Sequence, residues 1–229
     1  MVRHLVLGFA LAGLAGFAAP AVAADQPAAG GGVAAAVACL GHRDANAYAT
    51  LLRTAPYSAD ERREAQRLMP LLQRCREGGA DDSFSASVPQ LRGAVAAWLY
   101  ARDFAAAPAA HTPPLAPAPL LQVGQARNAA EVQPLAATYA LFDCATAAHP
   151  ELVRAYLATA PASPEEQTAF RALSPALGAC LTPGGSHQLA LGGAALRGVL
   201  TEMLYRWSAV QRDGPSSPYA AAATAAPAH

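Results

Sequence analysis

Two stretches of the chain carry apolar residues at helical spacing, each closed by a cysteine. Leu68, Leu71, Leu72 and Cys75 recur at i, i+3, i+4 and i+7, and Phe170, Leu173, Leu177 and Cys180 form a second stripe. Each stripe predicts an amphipathic helix whose cysteine points at the core. Ser58-Ala-Asp-Glu61 and Ser163-Pro-Glu-Glu166 stand at the starts of these helices and read as capping boxes. Pro164 takes the first helical position, where no backbone N–H is needed. Pro70 and Pro175 fall inside the helices and should kink them, because each removes a backbone donor.

A later helix in each half carries Leu91, Val95, Trp98 and Leu99, matched by Leu196, Val199, Leu200, Met203, Leu204 and Trp207. The stretches around Cys39 and Cys144 each read as two helices. His149-Pro150 opens a new turn in the second, and Asp44 takes the matching cap position in the first. No segment alternates apolar and polar residues with the period of a half-buried strand. The expectation is an all-α fold with about four helices in each half.

The two halves are copies. Sliding the sequence on itself by 105 residues, with no gap, places Cys39 on Cys144 and Cys75 on Cys180. Thr54-Ala55-Pro56 falls on Thr159-Ala160-Pro161, Pro70 on Pro175, Gly79 on Gly184, and Leu91-Arg92-Gly93 on Leu196-Arg197-Gly198. Alanine-rich sequences share alanines by chance, but not cysteines, prolines and caps in one register. The expected organisation is two tandem copies of a disulfide-stapled helical unit, at 31–106 and 128–211, packed as a pseudo-symmetric helical bundle. A Pro-rich linker at 107–127 favours extended polyproline. The tail at 212–229 holds few bulky residues and is expected to be disordered.

The N-terminus changes the picture of where such a unit works. After Arg3 the run Leu5–Ala19 has no charge, and Ala21-Val22-Ala23 supplies small residues ahead of Asp25. This is the pattern of a secretory signal peptide, placed at 1–23, and not of a span, which needs about 20 strongly apolar residues. No stable membrane span is expected after its cleavage. All 16 basic residues are Arg, a coding bias of GC-rich bacterial genomes, so the expected home is periplasmic or extracellular. Without Arg3 the remaining chain has 15 basic and 16 acidic residues, a charge near −1 that lacks the basic footprint of a nucleic-acid binder.

Four cysteines allow three pairings. Duplication favours Cys39–Cys75 and Cys144–Cys180, because each copy then carries its own bridge. The Thr-Ala-Pro turn midway between each pair brings the two cysteines side by side. Copies of this size are near the lower limit for a self-sufficient core, and such a bridge adds up to ~4 kcal/mol in the chain-entropy model. Neither copy has the C-x-x-C of a thiol oxidoreductase or the paired spacing of a zinc site.

Candidate chemistry is sparse. Ser58, Ser163, Glu61 and Glu166 recur, but capping needs these residues at this spacing. His42-Arg43-Asp44 has the look of a kinase catalytic loop without its asparagine. Beyond the expected leader the histidines His42, His111, His149, His187 and His229 form no pair at i, i+3 or i+4, and His187 stands where the first copy has Asp82, beside Asp81, which removes any calcium pattern. No catalytic residue, cofactor or metal is therefore expected. Arg92 and Arg197 are the repeated charges of most interest. Each is a candidate anion contact, or an arginine with a buried stem and an exposed head that bridges to a neighbouring helix.

One strip of the last helix in each copy has no evident reason to be kept. Gly93, Ala97, Tyr100 and Phe104 lie roughly opposite the apolar face, with Gly198, Tyr205 and Ala209 in the second copy. Glycine inside a helix costs about 1 kcal/mol against alanine, so its retention points to a close backbone approach. Three arrangements satisfy this. The strip packs on an earlier helix of its own copy, the two last helices cross at Gly93 and Gly198 with Tyr100 and Tyr205 beside them, or an outside partner docks there.

The leading functional expectation is a non-catalytic binding or protein-interaction module. The alternatives are a carrier of a small apolar ligand between the copies, and an enzyme whose site is assembled from non-adjacent residues. The partner is an unidentified protein or small apolar ligand.

Overall fold

A computed structural model describes residues 31–75, 86–107, 115–118, 129–181 and 193–220, with backbone alone for Gly31 and for 129–134. The expected signal peptide, most of the linker, Gly79, Asp81, Asp82, His111, Gly184, His187 and His229 lie outside the described residues.

The described residues form seven α-helices: α1 (Gly31–Arg43), α2 (Ala59–Arg74), α3 (Val88–Asp103), α4 (Ala129–Ala148), α5 (Pro150–Leu157), α6 (Pro164–Ala179) and α7 (Gly193–Asp213). Among them there is no strand beyond an isolated antiparallel bridge, and no helix is long and apolar enough to cross a membrane. Disulfides join Cys39 on α1 to Cys75 at the end of α2, and Cys144 on α4 to Cys180 at the end of α6.

The two halves differ after their first helix. Pro150 and Glu151 favour a helix start, and α5 follows. The corresponding segment opens with Ala45-Asn46 and forms only two 3₁₀ turns, Ala45–Tyr48 and Leu51–Arg53. Asp44 caps the first by accepting from the Asn46 N–H. Asparagine offers its backbone local bonds that compete with a helix.

Each amphipathic helix begins at a serine cap, with Ser58 Oγ accepting from Glu61 N–H at 3.1 Å and Ser163 Oγ from Glu166 N–H at 3.0 Å. The reciprocal half of the expected capping box is different. Glu61 Oε2 accepts from the Tyr57 N–H at 2.5 Å and Glu166 Oε2 from the Ala162 N–H at 2.6 Å, one residue ahead of each cap. Those residues have φ of 63° and 59°. Each is the third residue of a turn with proline second, closed by Ser58 N–H to Ala55 O and Ser163 N–H to Ala160 O. The glutamates thus hold a left-handed backbone that side chains disfavour. Pro70 and Pro175 sit inside α2 and α6, which run through them on exposed faces, where water reaches the freed carbonyls.

The core closes around α7. From Val199 to Gln211 every residue of this helix is buried, so it has no solvent face. On one side it packs with α4, α5 and α6 through Leu200, Met203, Leu204 and Trp207. On the other, Tyr205, Ala209 and Val210 enter the core of α1, α2 and α3. The tail and linker complete the cover. Gly214–Ser216 forms a 3₁₀ turn, Pro117 pairs with Ala220, and Tyr219 is 5% exposed against the Tyr205 ring. The expectation of disorder from residue 212 onward therefore fails as far as residue 220. Tyr219 docks there with buried Gly214 and Ser217.

Candidate functional site

The groups singled out from the sequence meet where α3 and α7 cross. A Cβ built on Gly93 would stand 2.8 Å from Gly198 Cα, and one on Gly198 would stand 3.2 Å from Gly93 Cα. The backbones are in contact, and side chains on either helix would hold them apart. Tyr100 and Tyr205 lie on the same side of the crossing. Phe104 stands between them with ring centroids 5.7 and 5.8 Å away, and Tyr205 Oη donates to Asp103 Oδ2 at 3.2 Å. The expected strip needs one correction. Ala97 is exposed, and Ala96 is the buried alanine on α3.

Arg92 departs from both readings of it. Its head is not exposed: the residue is 1% accessible, and its anions are internal carboxylates. Nε donates to Glu202 Oε2 at 2.5 Å and Nη2 to Glu202 Oε1 at 2.6 Å, a bidentate pair from α3 to α7. The remaining donors go to the carbonyls of Leu51, Leu52 and Thr54, to Thr54 Oγ1, and to Glu61 Oε1 at 3.3 Å. Burial alone would weaken the charge on Arg92, but Glu202 and Glu61 outweigh it and raise its pKa. For Glu61 burial prevails over the pull of Arg92, and its pKa is raised.

Arg197 repeats the carbonyl and glutamate contacts 105 residues on. Nη1 donates to Glu166 Oε1 at 2.8 Å and to Tyr156 O at 3.5 Å, and Nη2 donates to Leu157 O and Thr159 O at 2.5 and 2.6 Å. Its guanidinium lies 5.5 Å over the Tyr156 ring. Here the side chain keeps 16% exposure, and no counterpart of Glu202 touches it among the described residues.

Several central residues gave no signal as a site. Tyr139 on α4, Glu202 and Arg206 on α7, and Tyr57 ahead of α2 lie around Arg92, and Asp143 on α4 faces Arg206. The matching positions in the other copy are Ala34, Ala38, Ala97, Ala101 and Ala162. Five large polar residues opposite five alanines are the one sequence feature that marks them. Arg206 Nη2 donates to Ala118 O at 2.5 Å, and its guanidinium stacks on Tyr219 at 5.1 Å. Arg206 Nε and Asp143 Oδ1 are sealed from solvent without a hydrogen-bond partner. Burial pushes the Asp143 carboxyl up to about 6, with Arg206 opposing.

Chemically this cluster holds helices together. Arg92 has no donor left for a substrate, and α7 leaves no path to it. The serines Ser58 and Ser163 are bound as caps. Among the described residues no three His, Cys, Asp or Glu side chains converge as metal ligands. A shallow apolar cleft of about 190 Å³ between α2 and α3, lined by Ala65, Met69, Val88 and Leu91, is smaller than the ~300 Å³ at which ligand pockets usually begin. It lies within the first copy, away from the Gly93–Gly198 crossing. Comparison with family models, curated proteins and solved structures finds no match.

Proposed function

We propose that the chain is an exported, non-catalytic binding module, built from a duplicated disulfide-stapled helical unit whose copies face each other across a pseudo-two-fold axis at Gly93 and Gly198. The observation that carries this reading is the saturation of Arg92. The strongest charges of the interior are committed to one another, where they brace helices and touch no solvent. Export is supported by the leader-like N-terminus and by two disulfides, which persist in oxidising compartments. Duplication is supported by the matched contacts of Arg92 and Arg197 at an offset of 105 residues. Carriage of an apolar ligand between the copies gains no support, because the backbones touch where α3 and α7 meet.

The test is native mass spectrometry of the protein recovered from its own compartment. A non-covalent partner in fixed stoichiometry, returned unchanged on release, is the expected result. Conversion of a bound molecule to product would overturn the non-catalytic reading.

A further inference from the structure

The two arginine sites share their frame and differ at one edge. At Arg92 the Nε–Nη2 edge holds the Glu202 carboxylate. At Arg197 the carbonyl and Glu166 contacts are repeated, but Nε meets no acceptor among the described residues. The Arg197 side chain keeps 16% exposure, against 1% at Arg92. Glu202 lies one turn beyond Gly198 on α7, and the residue one turn beyond Gly93 on α3 is Ala97, which is exposed. Tyr139 and Tyr57, which crowd Arg92, correspond to Ala34 and Ala162, also exposed. Among the described residues, Arg92 faces two carboxylates and Arg197 faces Glu166 alone.

We infer that the open Nε edge of Arg197 binds a carboxylate side chain on an extended acidic peptide, which completes there the pairing that Glu202 makes at Arg92. Arginine favours planar carboxylates through such forked bonds. The choice of an extended chain follows from the other side of the molecule. There the Glu202–Arg206 face of α7 is covered by the chain segments at 115–118 and 217–220, through Arg206 to Ala118 O and the Tyr219 ring. The corresponding face of α3, with Ala97 and Ala101, is exposed. This inference rests on the binding-module reading and names its ligand class.

The test follows the Arg197 Nε–Hε resonance by NMR in the full-length oxidised protein at constant ionic strength. Titration with Ac-Ala-Glu-Ala-NH2 is expected to move it saturably, with Kd on the order of 1 mM for a forked contact supported by the peptide chain lying on the face with Ala97 and Ala101. The Gln analogue should leave it still, acetate should bind at least about tenfold more weakly, and the Arg92 resonance should not respond. In A97E, a change at an exposed site, the new carboxylate should occupy the edge and abolish the response. A resonance that ignores the Glu peptide, follows chloride equally, or responds unchanged in A97E would overturn the site. Acetate binding as tightly as the peptide would overturn the peptide assignment. Failure to bind leaves the non-catalytic reading standing, whereas hydrolysis of the peptide would count against that reading instead.

Discussion

Gly93 and Gly198 press α3 and α7 so close that a methyl group on Gly93 would stand 2.8 Å from the Gly198 Cα. The neighbour it meets is backbone, which cannot swing aside. Gly93→Ala therefore trades a helix-propensity gain of about 1 kcal/mol for an overpacking cost of up to about 3 kcal/mol. The expected net loss is about 1–2 kcal/mol, visible as a fall of about 3–8 °C in Tm. Gly198→Ala should cost less, since its methyl would have 3.2 Å. A rise in Tm for Gly93→Ala would mean that the helices stand further apart.

Arg92 and Arg197 provide a matched pair for burial. Arg92→Met leaves Glu61 and Glu202 buried without their cation, and breaking such a group costs about 3–5 kcal/mol. Arg197→Met strands only Glu166, 18% exposed at its side chain, and should cost less than half as much. Urea unfolding of the two variants checks the order; equal losses would show that the carbonyl contacts, common to both, dominate.

The Asp143 carboxyl gives a pH dependence of defined sign. Its folded pKa of about 6 lies above the ordinary 3.8, so the fold prefers it protonated. Its charge opposes folding above pH 6, and that cost disappears as the pH falls through 6 toward 3.8. Asp143→Asn should gain about 1–3 kcal/mol at pH 7.5 and nothing near pH 4. A gain that is constant with pH would assign the effect to something other than the carboxyl's titration.

Helices, serine caps and cysteine placement were legible because each is a local pattern. The stripe Leu68, Leu71, Leu72, Cys75 carries its own period, and Ser58 and Ser163 sit at fixed offsets from it. Glu202 and Arg206 were not legible. An acid and a base four apart on a helix read the same in solvent as in a core. What buries them is brought by Tyr57 and Leu115–Ala118, far off in the chain, and by the tail at 217–220, which folds back from beyond the end of the helix. Arg92 was misread for the same reason, since its partner stands 110 residues away. The difference at Arg197 is written in the sequence only as alanines facing larger residues in the 105-residue register, which carry no local pattern of their own.

Tyr219 tests whether the tail is structural. Its ring lies on Tyr205 and under Arg206, and its removal leaves a hole against α7. Tyr219→Ala should lose about 3 kcal/mol in urea unfolding, the scale of a buried aromatic truncation. It should also raise amide exchange in α7 around Arg206. An unchanged exchange pattern would mean that the tail merely rests on the surface.

The clasp of Pro117 on Ala220 also sets an order of events in the making of the molecule. The central helix is sealed by residues that follow it in the chain, so no earlier stage of synthesis has every wall of that core available. The first copy can bridge its own cysteines and nucleate on Leu51, Leu68 and Leu91, but it waits for Tyr205, Val210 and Tyr219 to close. A chain that lacks the segment at 217–220 would therefore leave a partly built bundle with its buried charges still wet, open to proteases.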